Sequence, residues 1–200
     1  MVLTSSPLSL TAFLAEDYQG QEPPEQTYEL ENGELIALPP ESNLNQKIAS
    51  VLFFYFAQLG VPADRIRMKT EMIISGERAT VRVPDLMILS AELAEALEGA
   101  SRSTVTLDMP PPCLVVEVAS PGKTNLDRDY RYKRSQYQAR AIAEYWIVDP
   151  MAHQVTVFTL VEGLYDMAVL GLGAAIESPF VTAYQPAVNL TVNQVLLESP

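Results

Sequence analysis

The pattern of hydrophobic and polar positions divides this chain into short strands and amphipathic helices. Apolar runs bounded by Gly, Pro, Asn or Asp are typical of strands, and apolar positions repeated every three or four residues are typical of helices. The pattern predicts helices over residues 8–16, 43–59 (capped by Ser42 or Asn43), 91–98, 125–140 and 190–197, with a loop over 19–26. It predicts strands over residues 28–38 (a hairpin around Asn32-Gly33), 65–75, 80–89, 114–119, 144–148, 154–161 and 165–170.

The order of these elements predicts the fold class. Hairpin strands come first, and a strand–helix–strand unit over residues 114–148 follows, which implies a right-handed crossover between parallel strands. We therefore expect an α/β or α+β fold in which helices flank a central mixed sheet. A length of 200 residues suits one domain with a sizeable core. The expected core covers about 28–172, with an N-terminal extension over 1–26 and a C-terminal segment over 173–200.

Composition narrows the classes of protein. The one cysteine, Cys113, excludes an intrachain disulfide framework, and the one histidine, His153, excludes most zinc sites. We expect Cys113 in the core and His153 at an exposed edge. The first ten residues have no basic segment typical of a signal peptide, and the longest apolar run, residues 48–61, is too short to span a bilayer. A cytoplasmic protein without a membrane segment is the expectation.

The charge is unevenly distributed. The net charge of −12 argues against general nucleic-acid binding. Residues 120–140, however, carry six basic and two acidic residues, a local net charge of +4, so the remainder carries −16. One basic segment thus lies on an acidic body.

Two acids interrupt otherwise apolar strands. Glu117 lies in Leu-Val-Val-Glu-Val-Ala and Asp85 in Val-Arg-Val-Pro-Asp-Leu. If the two strands are neighbours, alternation of side chains lets both acids converge on one point. Pro84 removes a ladder donor and predicts an edge or a bulge there. The alternative is that the acids are unrelated, partly exposed, or paired with Arg82 or Lys69.

The basic helix offers a cation for Glu117. Asp129, Lys133 and Tyr137 are spaced four residues apart and share a helix face. Lys133 could bend back toward Glu117, or the helix could simply be a solvated surface with an Asp–Lys pair. The sequence Gly122-Lys123-Thr124 imitates a phosphate-binding loop, but Glu117 occupies the position where that motif needs glycine, which excludes it.

Taken in order, these pieces resemble the PD-(D/E)xK nuclease superfamily, and more closely its bacterial group of the Uma-two type. The matching pieces are Tyr28-Glu29-Leu30 with Gly33-Glu34, Pro39-Pro40-Glu41-Ser42, Val83-Pro84-Asp85, Val116-Glu117-Val118 with Ser120-Pro121, the trio Asp129, Lys133 and Tyr137, and the run Glu144-Tyr145-Trp146-Ile147-Val148-Asp149-Pro150. Two positions depart from the family pattern. Ala119 stands where the superfamily has its lysine, and asparagines, Asn43 and Asn45, stand where relatives often have histidine.

The resemblance implies a restriction-endonuclease-like fold and a DNA endonuclease. Asp85, Glu117 and the carbonyl of Val118 would hold Mg²⁺ or Mn²⁺, and Lys133 would replace the missing strand lysine, with Lys123 as the less favoured substitute. Asp85, Glu117 and Lys133 are the expected catalytic residues. Supporting roles are expected for Glu34, Asp129 and Tyr137, and DNA phosphate contacts for Arg128, Arg131 and Arg134. The superfamily also implies a homodimer.

Two other functions stay open at this stage. The first is a catalytically inactive nucleic-acid-binding or assembly module of the same fold, which the acidic body and Ala119 favour. The second is a hydrolase of another phosphoester that uses the same metal site.

Overall fold

The structure, a computed structural model, describes residues 7–15, 27–185 and 190–199, without the side chains of Lys123 and Thr124. The predicted loop 19–26 therefore lies outside the described residues. The strands are β1 Tyr28–Glu31, β2 Glu34–Ala37, β3 Ile66–Met68, β4 Glu71–Ser75, β5 Thr80–Arg82, β6 Leu86–Ile88, β7 Thr104–Val105, β8 Leu114–Val118, β9 Glu144–Asp149, β10 Gln154–Val161 and β11 Leu164–Gly171. The helices are α1 Leu10–Ala15, α2 Asn43–Gln58, α3 Ala91–Ala96, α4 Lys123–Asp127, α5 Arg134–Ala139, α6 Pro179–Tyr184 and α7 Val192–Leu196, with a π-helical turn, Arg128–Lys133, between α4 and α5.

The strands form two mixed sheets rather than one, and helices flank them. One sheet has the order β2-β1-β5-β4-β7, and the other has the order β11-β10-β9-β8-β6-β3. Within the second sheet β8 and β9 are parallel and joined through α4, the π-helical turn and α5, as the pattern predicts. The mixed α/β fold class is confirmed.

The six-stranded sheet carries core on both faces. One face, with Leu86, Val116 and Trp146, packs against α2 and α7, and the other, with Met87, Val115 and Ile147, packs against α5 and the five-stranded sheet. Because β6 and β8 pair antiparallel with Leu86 opposite Val116, their alternate residues share faces as expected. None of the helices in the described ranges is long and apolar enough to cross a membrane.

The prediction of continuous strands over residues 65–75 and 80–89 is wrong. Each of these segments is broken and contributes its two halves to different sheets: β3 and β6 to one, β4 and β5 to the other. The breaks fall at Lys69-Thr70 and at residues 83–85, where Pro84 cannot donate to a ladder. The backbone N–H of Lys69 donates to the carbonyl of Pro84 at 3.2 Å, so the two breaks lie side by side. The chain therefore passes between the sheets twice at one place.

Local signals explain several element boundaries. Asn32 and Gly33 both have positive φ, as a tight hairpin turn requires, and a Cβ at Gly33 would lie 2.6 Å from the Pro7 side chain. Ser42 caps α2 by accepting from the backbone N–H of Asn45 at 3.0 Å. The short helix α6 and the two-residue strand β7 are elements that the pattern did not predict.

The predicted helix over residues 125–140 forms, but it is not uniform. Its middle, Arg128–Lys133, is π-helical, with more residues per turn than the α-helical segments on either side. This irregular turn begins ten residues after the end of β8 and carries the buried residues Asp129 and Lys133. The single cysteine and the single histidine lie elsewhere in the chain. Cys113 is half-buried, and His153 is exposed and contacts Glu198.

Candidate active site

Glu117 lies near the end of β8 and is buried, because the strand is covered on both faces. Its Oε1 accepts a hydrogen bond from the Tyr137 hydroxyl at 2.7 Å and lies 2.8 Å from the Lys133 ammonium. Both of these contacts are made by Oε1. One oxygen of this carboxylate is thus held by the helix, and the residue lines a small cavity of about 40 Å³.

Asp85 follows the break at Pro84 and meets Glu117 at this cavity. In the antiparallel register of β6 and β8, the position opposite Glu117 is Asp85, one step beyond the last paired residues. The Asp85 Oδ2 accepts the backbone N–H of Val118 at 2.6 Å, which ties the acid to the end of β8. Its Oδ1 lies 2.5 Å from the Lys69 ammonium. Both acids therefore converge, and the alternative pairing of Asp85 with Lys69 is also present.

Lys133 is the central cation of the cluster, with only 3% of its side chain exposed. Its ammonium lies 2.8 Å from Glu117, 3.4 Å from Glu29 and 3.7 Å from Asp129. The π-helical turn brings Asp129 and Lys133 onto the buried side of the helix. The side chain thus reaches from the helix to the carboxylate at the strand end.

Burial and neighbouring charges together raise the pKa values of both Glu117 and Lys133. Burial, reinforced by the nearby acids, raises the pKa of Glu117 to about 7 in spite of Lys133. Burial alone would lower the pKa of Lys133, but Glu117, Glu29 and Asp129 outweigh it and raise that pKa. Lys133 is therefore held as a cation.

Glu29 is a buried member of the cluster to which the pattern assigned no role. Its Oε2 lies 2.9 Å from the Arg82 guanidinium, and its Oε1 accepts the backbone N–H of Val83 at 3.1 Å and faces Lys133. Burial opposes ionisation of Glu29, but Lys133 and Arg82 outweigh burial and lower its pKa to about 2. Arg82, a cation inside an apolar strand, was the signal that a buried acid must lie nearby.

Two further residues at the site come from other elements. Lys69, at the break between β3 and β4, contacts Glu41 at 2.6 Å as well as Asp85. Asn45, in the first turn of α2, donates from Nδ2 to the carbonyl of Val118 at 3.4 Å and to the Ser120 hydroxyl at 3.3 Å. Asn45 thus reaches the strand end from the helix start.

The remaining residues singled out in the sequence lie in different surroundings. Arg128 contacts Asp129 at 3.3 Å and lines the cavity, whereas Arg131 is exposed and pairs with Asp127 at 3.6 Å. The guanidinium of Arg134 lies over the Phe158 ring, 5.2 Å from its centroid, and does not line the cavity. Glu34 is exposed on the edge strand β2, outside the cavity. The side chain of Lys123 lies outside the described parts, so its role as a substitute lysine stays a prediction.

The donor set at the cavity suits a hard divalent cation with few protein ligands. The described residues contain no group of three or more His, Cys, Asp or Glu side chains placed to hold a metal. Asp85, Glu117 and Val118 do line the cavity, and Mg²⁺ is commonly held by one or two carboxylates, with waters and substrate phosphates completing its shell. Lys69 lies 2.5 Å from the Asp85 Oδ1, so an ion held by this acid would share it with an ammonium. The carboxylates are of the ligand type that such an ion prefers.

Comparison with solved structures supports this class of fold. The chain is similar to a crystal structure described as "a putative nuclease belonging to DUF820" from Anabaena variabilis ATCC 29413, with a TM-score of 0.72 and 16% sequence identity, over 96% of this chain and 98% of that chain. At this identity the likeness shows the fold. Comparison with the curated proteins gave no match.

The family follows from the sequence match. The family model Uma2, described as "Putative restriction endonuclease", matches residues 15–192. Since the match covers most of the chain, the protein belongs to the Uma2 family, and the resemblance drawn from its motifs is confirmed.

Proposed function

We propose that the protein is a metal-dependent DNA endonuclease that hydrolyses phosphodiester bonds. The observation that carries the proposal is the convergence of Asp85, Glu117 and Lys133, from three separate parts of the chain, on one cavity. Membership of a family described as "Putative restriction endonuclease" supports nucleic acid as the substrate. Buried titratable groups with shifted pKa values, beside a cleft, also commonly mark functional sites.

In this proposal Asp85, Glu117 and the Val118 carbonyl hold Mg²⁺ or Mn²⁺. When bound, such an ion activates a water and neutralises charge on the scissile phosphate. The chain's own groups do the rest: the Val118 N–H fixes Asp85, and the Tyr137 hydroxyl and Lys133 fix Glu117. The raised pKa of Lys133 supports a role as a fixed positive charge that stabilises the transition state, rather than as a base.

The helix that carries Lys133 also supplies the contacts proposed for the DNA backbone. Arg128 borders the cavity and Arg131 is exposed, so both can approach phosphates, and each such contact adds affinity that falls with salt. Arg134 belongs to the proposal as well, although its packing on Phe158 favours a mainly structural contribution.

A homodimer is part of the proposal, because two copies can cut both strands of a duplex. The eight-residue strand β11 forms one edge of the six-stranded sheet and exposes Leu164, Met167 and Val169. Open apolar edges are pairing surfaces for a second chain. Analytical ultracentrifugation tests this point, and a purely monomeric protein at micromolar concentration would contradict it.

Incubation of the pure protein with supercoiled plasmid and Mg²⁺ or Mn²⁺ tests the proposed activity. We expect nicked or linear product that requires the metal and disappears in the Asp85→Ala and Glu117→Ala variants. Glu95→Ala, a change at an exposed acid of α3, is the matched control. Cleavage that persists in both site variants would refute this assignment.

A catalytically inactive nucleic-acid-binding or assembly module is the second candidate. The pairing of Asp85 with Lys69 favours it, because this pair compensates the acid's charge without a metal. Calorimetric titration with Mn²⁺ separates the two functions. Binding to the wild-type protein that is lost in Glu117→Gln supports the enzyme, and absence of binding to either protein supports the module.

A further inference from the structure

Lys133 is poorly placed to meet a phosphate that arrives from solvent. Its side chain is 3% exposed, and three carboxylates surround its ammonium. Moving the ammonium outward would leave Glu117, Glu29 and Asp129 buried without their common counter-ion, which is strongly unfavourable. The side chain can stabilise charge at the cavity floor, but it does not extend into the clefts outside.

Lys69 lies on the open side of the same cavity. Its side chain is 36% exposed, more than ten times the exposed fraction of Lys133. Its backbone has a positive φ of 50°, a conformation that non-glycine residues rarely adopt, and its N–H is held by the Pro84 carbonyl. The break between the two sheets therefore presents this lysine beside Asp85 in a defined position.

Two clefts of about 290 and 330 Å³ adjoin the cavity and meet at Lys69. Among the described residues that line these two clefts, Lys69 is the only lysine or arginine. Asp85 opens into the first cleft and Glu41 into both, so the remaining titratable groups there are acidic. A polyanion that enters either cleft would find its one positive contact at this residue.

The ammonium of Lys69 has capacity for a further partner. It carries three N–H donors, and its contacts with described residues are Asp85 and Glu41. A phosphate oxygen can take the third donor while both ion pairs persist. The flexible four-carbon stem of lysine also lets the ammonium turn toward an anion without movement of the backbone.

We propose that Lys69 is a substrate-binding residue of the site, whose ammonium contacts a backbone phosphate of the DNA strand that enters these clefts. The inference rests on the proposed endonuclease function and extends it. The two lysines then have different roles. Lys133 stabilises charge from the buried side of the cavity, and Lys69 binds the DNA strand from the open side.

Salt-dependent binding tests the inference without catalysis. The affinity for a fluorescein-labelled DNA duplex would be measured by anisotropy in EDTA, over about 50 to 200 mM salt. Each lost phosphate contact lowers the slope of log affinity against log salt by about 0.9 on duplex DNA and by about 0.7 on a single strand. We expect this decrease, with several-fold weaker binding, for Lys69→Met, and a wild-type slope for Lys69→Arg, which keeps the charge.

Lys47→Met is the matched control, because Lys47 is an exposed lysine of α2 that lines neither cleft, and the change removes the same charge. Circular dichroism melts would verify that each variant is folded. An equal decrease of the slope in Lys47→Met would overturn the inference, since it would assign the effect to overall charge.

The outcomes distinguish this inference from the proposed function. An unchanged slope in Lys69→Met, together with metal-dependent cleavage by the wild-type protein, overturns the role of Lys69 alone. A slope that depends on Lys69 in a protein that does not cleave supports the binding role and refutes the nuclease. Absence of DNA binding by the wild-type protein overturns the role of Lys69, and absence of metal-dependent cleavage as well overturns both.

Discussion

Replacing Glu29 by glutamine would measure how much the buried charge cluster contributes to stability. The carboxylate lies between Arg82 and Lys133, and its pKa is lowered from 4.5 to about 2. One pKa unit corresponds to about 1.4 kcal/mol, so ionised Glu29 stabilises the folded protein by about 3 kcal/mol. Glutamine has nearly the same shape and can still accept the Val83 N–H, so the change isolates the charge.

The sign of the pH dependence follows from the direction of the shift. Because the folded-state pKa lies below the unfolded value, the contribution is fully present above pH 4.5 and is lost as the pH falls toward 2. We expect Glu29→Gln to lower the free energy of unfolding by about 3 kcal/mol at pH 7 and by only about 1 kcal/mol at pH 3.

Urea unfolding followed by the fluorescence of Trp146 would measure these values, since the protein has one tryptophan and it is fully buried. Glu95→Gln, at an exposed position of α3, is the control and should differ from wild type by less than about 0.5 kcal/mol. A loss of stability in Glu29→Gln that is equal at pH 7 and pH 3 would refute the electrostatic reasoning and indicate a packing effect instead.

The other predictions concern the helix and strand of the site. Lys133→Met leaves three buried acids without their shared cation, so we expect the free energy of unfolding in the same urea assay to fall by about 3–5 kcal/mol. A decrease of less than about 1 kcal/mol would contradict the role of Lys133 as their counter-ion. Glu117→Gln removes a carboxylate whose ionisation is opposed by burial. In EDTA at pH 8 the variant should therefore unfold at no lower urea concentration than wild type. In the separate plasmid assay with metal, its cleavage should be lost. Arg131→Glu should weaken DNA binding without changing stability, because the side chain is 71% exposed. Arg134→Met should instead lower stability by about 1 kcal/mol, because the contact with Phe158 is lost. Equal effects of the two variants on stability and on DNA binding would contradict the assignment of Arg131 to the exposed face and Arg134 to the packed face.

The sequence was most informative at residues that do not suit their element, such as a charged residue or a proline within an apolar strand. An acid inside a Val-rich strand needs a cation, and the spacing of Lys133 and Tyr137 on the following helix put both within reach; the structure has both in contact with Glu117. Likewise Pro84 marked an interruption, because it cannot donate to a ladder.

What the sequence did not predict depends on the two breaks between the sheets. Alternation of side chains along a strand predicts which of two faces a residue lies on. It does not predict where the chain leaves one sheet and joins another. Lys69 and Glu29 reach the site only because β3 and β4, and β5 and β6, belong to different sheets. The sequence offered Lys69 only as an alternative partner of Asp85, and Arg82 indicated a buried acid without identifying Glu29, because these partners are distant in sequence.

The π-helical turn has a consequence for how relatives of this protein can be searched and aligned. An α-helix advances about 100° per residue, so one residue more in a single turn shifts the phase of everything after it. A pattern that requires lysine two residues after the acid finds Ala119 here, whereas Lys133, at the end of the π-helical turn, and Tyr137, four residues later, both contact Glu117. A search profile could allow a variable gap between the acid, Glu117 here, and the helix lysine, and require a tyrosine four residues after that lysine. Such a profile would find chains with the arrangement seen here. Removal of one residue from the turn would, by the same geometry, rotate Tyr137 away from the carboxylate that it now contacts.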